Sequence, residues 1–67
     1  MIDFEENLYK RVKVVTVRGE VFIGELGLYC SAYDGDDPED SIGILPDGSD
    51  DGILLFVSEI KDVQLLG

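Results

Sequence analysis

A chain of 67 residues with a net charge of −10 holds one domain and not two. That charge argues against non-specific binding to phosphate backbones and against anionic membranes, where lysine and arginine supply the binding energy. One cysteine, Cys30, and no histidine exclude a disulfide framework and argue against a structural zinc site. A domain this small buries only about 60% of its unfolded surface, so its own core is marginal. Without disulfide or metal, oligomerisation is the expected supplement. The acidic start, Met1 to Glu6, is unlike a secretory leader. No apolar run approaches the ~20 residues that span a bilayer. With a lone thiol, these features predict a cytoplasmic protein that does not enter a membrane.

The first expected element is a short helix. Asp3 is placed to cap it, with Glu6 at capping-box spacing, and Phe4 and Leu8 share a face. A helix of about seven residues does not stand alone, so it should lie on the end of a β structure. Val12 to Val17 is valine-rich and predicts a strand. Arg18-Gly19-Glu20 predicts a turn, and Val21 to Cys30 a second strand, bent at Gly24 and Gly27. Ser31 to Ser41 is an acidic loop with little apolar surface. Ile42 to Leu45 is a third strand, closed by Pro46 and the turn Asp47 to Gly52. Ile53 to Val57 (ILLFV) reads as a fourth strand with both faces covered, because no polar residue alternates in it. Ser58-Glu59-Ile60 is a tight or 3₁₀ turn. Lys61 to Leu66 is a fifth strand, with Val63 and Leu65 on one face. Several short strands between glycine-rich turns predict a mainly β small barrel. Such a barrel leaves strand edges open to another chain. The expected edge residues are Ile53, Leu54, Leu55, Phe56, Val57, Val63 and Leu65.

The stretch Val12 to Tyr29 resembles the first motif of the Sm-like family. That motif has an apolar strand, a glycine, a second glycine five residues on, then apolar positions and an aromatic. Here these are Val15, Val17, Gly19, Gly24, Leu26 and Tyr29. Phe56 to Ile60, with Val63 and Leu65, fits the outline of the second motif. The resemblance implies a short helix followed by a five-stranded, strongly bent, SH3-type barrel. It implies rings of six or seven subunits, with the fourth strand of one subunit on the fifth of the next. It also implies single-stranded RNA as ligand, bound by residues that this chain replaces. Cys30 stands for the family's Asp, Ala32 for its base-stacking side chain, and Asp34 for its base-reading Asn. Tyr33 fills the apolar position between the last two, and Ser58-Glu59 replaces an Arg-Gly pair. Stacking and cationic contact supply most of such binding, and both are missing.

Tyr33, Asp34, Ser58 and Glu59 therefore mark where a ligand or RNA would face an altered site. Lys10, Arg11, Lys13 and Arg18 are a candidate basic patch; the competing reading is the solvated ends of a helix and a strand. Eight of the fifteen acids fall between Asp34 and Asp51. Calcium is one reading of Asp34 to Asp40, but Pro38 breaks the loop and the EF-hand spacing is absent. Paired carboxylates for hydrolysis would need a concave pocket that differentiates them. Cys30 lacks a neighbouring base to act as nucleophile. The expectation is a non-enzymatic module without cofactor. It self-assembles and binds a protein partner or serves as a scaffold. An RNA-binding ring with a diverged site is the alternative.

Overall fold

The computed structural model describes residues 2–32 and 38–66. Its strands are β1 (Arg11–Thr16), β2 (Val21–Cys30), β3 (Ser41–Pro46), β4 (Ile53–Phe56) and β5 (Ile60–Leu65), with a 3₁₀ turn at Val57–Glu59 before β5. They form one antiparallel sheet in the order β4-β3-β2-β1-β5. The sheet does not close on itself, so β4 and β5 are its two edges.

Period-2 alternation places the core. In β1, Val12, Val14 and Thr16 are fully buried, and Arg11, Lys13 and Val15 point to the opposite face. Leu26, Ile42, Ile44, Leu55, Ile60 and Val63 complete the buried face. The hydroxyl of buried Thr16 accepts the Glu20 N–H at 3.1 Å. Gly19 N–H donates to Thr16 C=O at 3.0 Å, and Gly19 sits at φ 87. That is the three-residue hairpin loop in which a left-handed residue follows a tight turn, a position glycine fills without strain.

The two glycines of β2 act differently. The register of β2 on β3 shifts between Leu26 and Leu28, so Gly27 marks a bulge. Gly24 is a point of contact: a Cβ there would lie 2.1 Å from the Leu45 carbonyl oxygen.

The expected N-terminal helix is not formed. Asp3 does cap, accepting the Glu6 N–H at 3.2 Å. The bonds that follow are tight turns, Asn7 N–H to Phe4 C=O at 3.2 Å and Lys10 N–H to Asn7 C=O at 3.3 Å. Tyr9 then takes a left-handed φ of 70. Its N–H donates to Leu26 C=O at 2.6 Å, and Leu26 N–H donates to Lys10 C=O at 2.9 Å. Pairing with β2 satisfies this backbone, whereas a helix this short does not recover its nucleation cost. The apolar side chains still dock as their spacing predicts. Phe4 is buried against the core, Ile2 and Leu8 pack beside it, and the Phe4 ring lies 5.9 Å from that of Tyr29.

Two finer expectations also change. ILLFV is not covered on both faces, since Leu54 is 58 % exposed while Leu55 is buried. Val63 is buried but Leu65, at the end of β5, is 45 % exposed.

Candidate interaction surface

Of the positions expected to face a ligand, Tyr33 and Asp34 lie outside the described residues, as does most of the calcium reading of Asp34 to Asp40. Ser58 and Glu59 are in the 3₁₀ turn, and both serve the fold. Ser58 donates its N–H and its hydroxyl to the two oxygens of Glu39, at 2.6 and 2.9 Å. The Glu59 carboxylate accepts the Phe56 N–H at 3.3 Å, and its carbonyl accepts the Val17 N–H at 2.9 Å. Val57 N–H donates to Asp40 C=O at 3.0 Å. The turn is thus tied on one side to the β1–β2 hairpin and on the other to the segment entering β3.

Asp40 completes this junction, a role the sequence reading missed. Its carboxylate accepts the Ala32 N–H at 2.9 Å and the Tyr29 hydroxyl at 2.8 Å. The Ala32 bond first, and the Tyr29 bond second, hold the Asp40 carboxyl below its ordinary value; the Asp40 bond raises the Tyr29 phenol. A carboxyl with a depressed native pKa stabilises the fold above its unfolded pKa and loses that contribution as pH falls through the native value. Tyr29 has the opposite sign, contributing below its unfolded pKa and losing that as pH rises through the native one. Asp40→Asn should therefore flatten the loss of stability as pH falls through and below the ordinary carboxylate range. Urea midpoints of both proteins across that range check this; parallel limbs would remove Asp40 from the account.

The four basic residues do not form one patch. Lys10 donates to the Asn7 side chain at 3.1 Å. Arg11 grips Asp47 through Nε, at 3.1 Å, and Nη2. Arg18 lies past the other end of β1, where Nη2 approaches Glu20 at 3.3 Å and Glu59 at 3.8 Å. Lys13 stands on the outer sheet face between Ile23 and Gln64. Both arginines are thus matched by carboxylates.

Among the expected edge residues, Leu55 and Val63 fill the chain's own core, and Ile53, Phe56 and Val57 are half-buried. Leu54 and Leu65 remain open to solvent. Leu54 also belongs to a second feature, not anticipated from the sequence. On the outer face, Leu28, Gly43 and Leu54 form one row across β2, β3 and β4. Leu28 and Leu54 flank the side-chain-free Gly43 and wall an apolar groove of about 290 Å³. The signal available in the sequence was a glycine in the middle of the third strand, Gly43. The most exposed aromatic among the described residues is Tyr9.

Cys30 ends β2 as a half-buried free thiol. Among the described residues, no group of three or more His, Cys, Asp or Glu is placed to hold a metal ion. Among them also, no helix is long and apolar enough to cross a membrane. The fold is therefore a small antiparallel β sheet with two open edges and an apolar outer groove. No protein-family model, curated protein or solved structure matches the chain.

Proposed function

We propose that this chain is a cytoplasmic, non-enzymatic, Sm-like small barrel that assembles through its edge strands and serves as a binding or scaffold module. The observation that carries the reading is the pair of open edges. β4 and β5 are different strands at opposite ends of one sheet, and each bears a half-exposed leucine, Leu54 and Leu65. Pairing β4 of one copy with β5 of the next is a head-to-tail contact, and such contacts close into rings where the rotation allows. It would also satisfy strand edges that otherwise invite aggregation. The order β4-β3-β2-β1-β5 and the positions of Gly19 and Gly24 agree with the Sm-like resemblance.

Light scattering at micromolar concentration tests the assembly. Leu66 N–H donates inward to Arg11 C=O, so by strand alternation the Leu65 N–H faces the open edge. Leu65→Pro removes that donor and leaves the inner ladder in place. The expected result is a multimer for the native chain and a smaller species for the variant. Because each copy is strongly acidic, the multimer should tighten as salt screens the repulsion. A strict monomer at all salt concentrations overturns the assembly.

The RNA-binding alternative has less support. Arg11 and Arg18 are engaged by carboxylates, and Ser58-Glu59, which stands where the family carries Arg-Gly, lacks the cation and adds a negative charge. Titration with U-rich and A-rich oligonucleotides at ~50 mM salt, where charge attraction is strong, is expected to give no binding. Saturable binding there would reverse the preference.

A further inference from the structure

The outer groove has an apolar interior and acidic surroundings. Leu28 and Leu54, 50 % and 58 % exposed, wall it on either side of Gly43. Its volume of about 290 Å³ sits at the lower limit of small-molecule pockets, about 300–1,000 Å³. That leaves room for one large apolar side chain. Glu25 stands directly opposite Leu45, which also lines the groove. Asp50 and Asp51 immediately precede two further lining residues, Gly52 and Ile53. All three acids are exposed. Among the described residues none of them is in an ion pair. Arg11, the neighbour of Glu25 on β1, directs its guanidinium to Asp47 instead.

We propose that this groove docks a basic segment of a partner protein, with one apolar side chain between Leu28 and Leu54 and flanking lysines or arginines on Glu25, Asp50 and Asp51. Charge decides the occupant. A second copy carries the same net charge of −10 and would set acids against acids at distances where salt screens little, within about 10 Å at 0.1 M. Anionic lipid and nucleic acid are repelled for the same reason. A basic segment gains from both the apolar contact and the carboxylates. The inference rests on reading the chain as a binding module and adds the chemistry of its partner.

The test is an NMR titration of the isotope-labelled full chain at low salt with three short synthetic peptides. One has a central leucine flanked by lysines. The second has serine for the leucine, and the third has glutamates for the lysines. The leucine–lysine peptide should shift the amides of Leu28, Gly43 and Leu54 saturably. The serine peptide should bind about tenfold more weakly, the scale of one buried leucine, and the glutamate peptide should not bind.

Gly27→Val fills the groove from one wall. The nearest atom a Cβ there meets is the Gly43 carbonyl oxygen, 4.0 Å away, so the variant should fold and lose about tenfold in affinity for the leucine–lysine peptide. If it does not fold, Leu28→Ser reads the same loss from an exposed position on β2, away from both sheet edges. Four outcomes overturn the proposal. They are no binding of the leucine–lysine peptide, equal binding of the serine peptide, binding unchanged in the folded variants, or dissociation of the native multimer by Gly27→Val, which would make a second copy the occupant. Light scattering on native and Leu65→Pro samples reads the assembly separately, so a failed titration and a failed assembly are told apart.

Discussion

Gly24→Ala is expected to lower stability by about 3 kcal/mol or more, at or beyond the upper end of ordinary overpacking. The added methyl would stand 2.1 Å from the Leu45 carbonyl oxygen, 2.6 Å from the Pro46 Cα and 2.7 Å from the Leu45 carbonyl carbon. All three are backbone atoms, so no side chain can rotate away. Relief requires β2 and β3 to part, which breaks the ladder pairing Gly24 with Pro46 and Glu25 with Leu45. At 0.05–0.15 kcal/mol per residue, a domain of this length holds about 3–10 kcal/mol in all. The variant should therefore lose at least about a third of the fold's stability and unfold at a much lower urea concentration. Gly27→Ala is the control, since its methyl meets nothing closer than 4.0 Å and should change stability by about 0.5 kcal/mol or less. Urea midpoints for the two variants give the comparison. Equal midpoints would mean that β2 and β3 do not approach closely at Gly24.

Phe4→Ala should cost about 3–5 kcal/mol, the usual range for deleting a buried phenyl ring. Phe4 is 9 % exposed and is the buried side chain through which the N-terminal turns reach the core. Its loss removes the contact with the Tyr29 ring and uncovers that end of the sheet. Tyr29 also holds Asp40, so the junction at the 3₁₀ turn should loosen with it. Thermal unfolding and hydrogen exchange measure the two effects. Exchange at Val57 and Ser58 should rise together with the loss of stability. A variant that melts with the native protein would show that the N-terminal segment does not cover the core.

The strands were largely legible in the sequence. The valine run from Val12 to Val17 marked β1, because β-branched residues favour strand whatever they pack against. The turns at Gly19 and Gly48 were legible for a similar reason. Their φ angles of 87 and 76 are local demands that glycine meets at little steric cost. The cap at Asp3 was equally local, and it forms even though the helix does not.

What lay beyond the sequence depends on which segments meet. Between helix and turns, the choice for residues 3–10 fell to the β2 backbone, because Leu26 supplied partners that the isolated segment lacked. Arg11 finds Asp47 at 36 residues' separation and Ser58 finds Glu39 at 19. No spacing rule reaches so far, so the bonds that tie Ser58 and Glu59 into the fold were not legible. The sequence marked Gly24 as a bend; that it is a point of backbone contact follows only from the path of β3. Likewise, Leu28, Gly43 and Leu54 are scattered along the chain and make a groove only because β2, β3 and β4 lie side by side. Dihedral preference and side-chain chemistry act between neighbours in sequence, and these marked the five strands and their turns. Pairing partners, steric contact and exposure arise between neighbours in space, and the sheet order decided those.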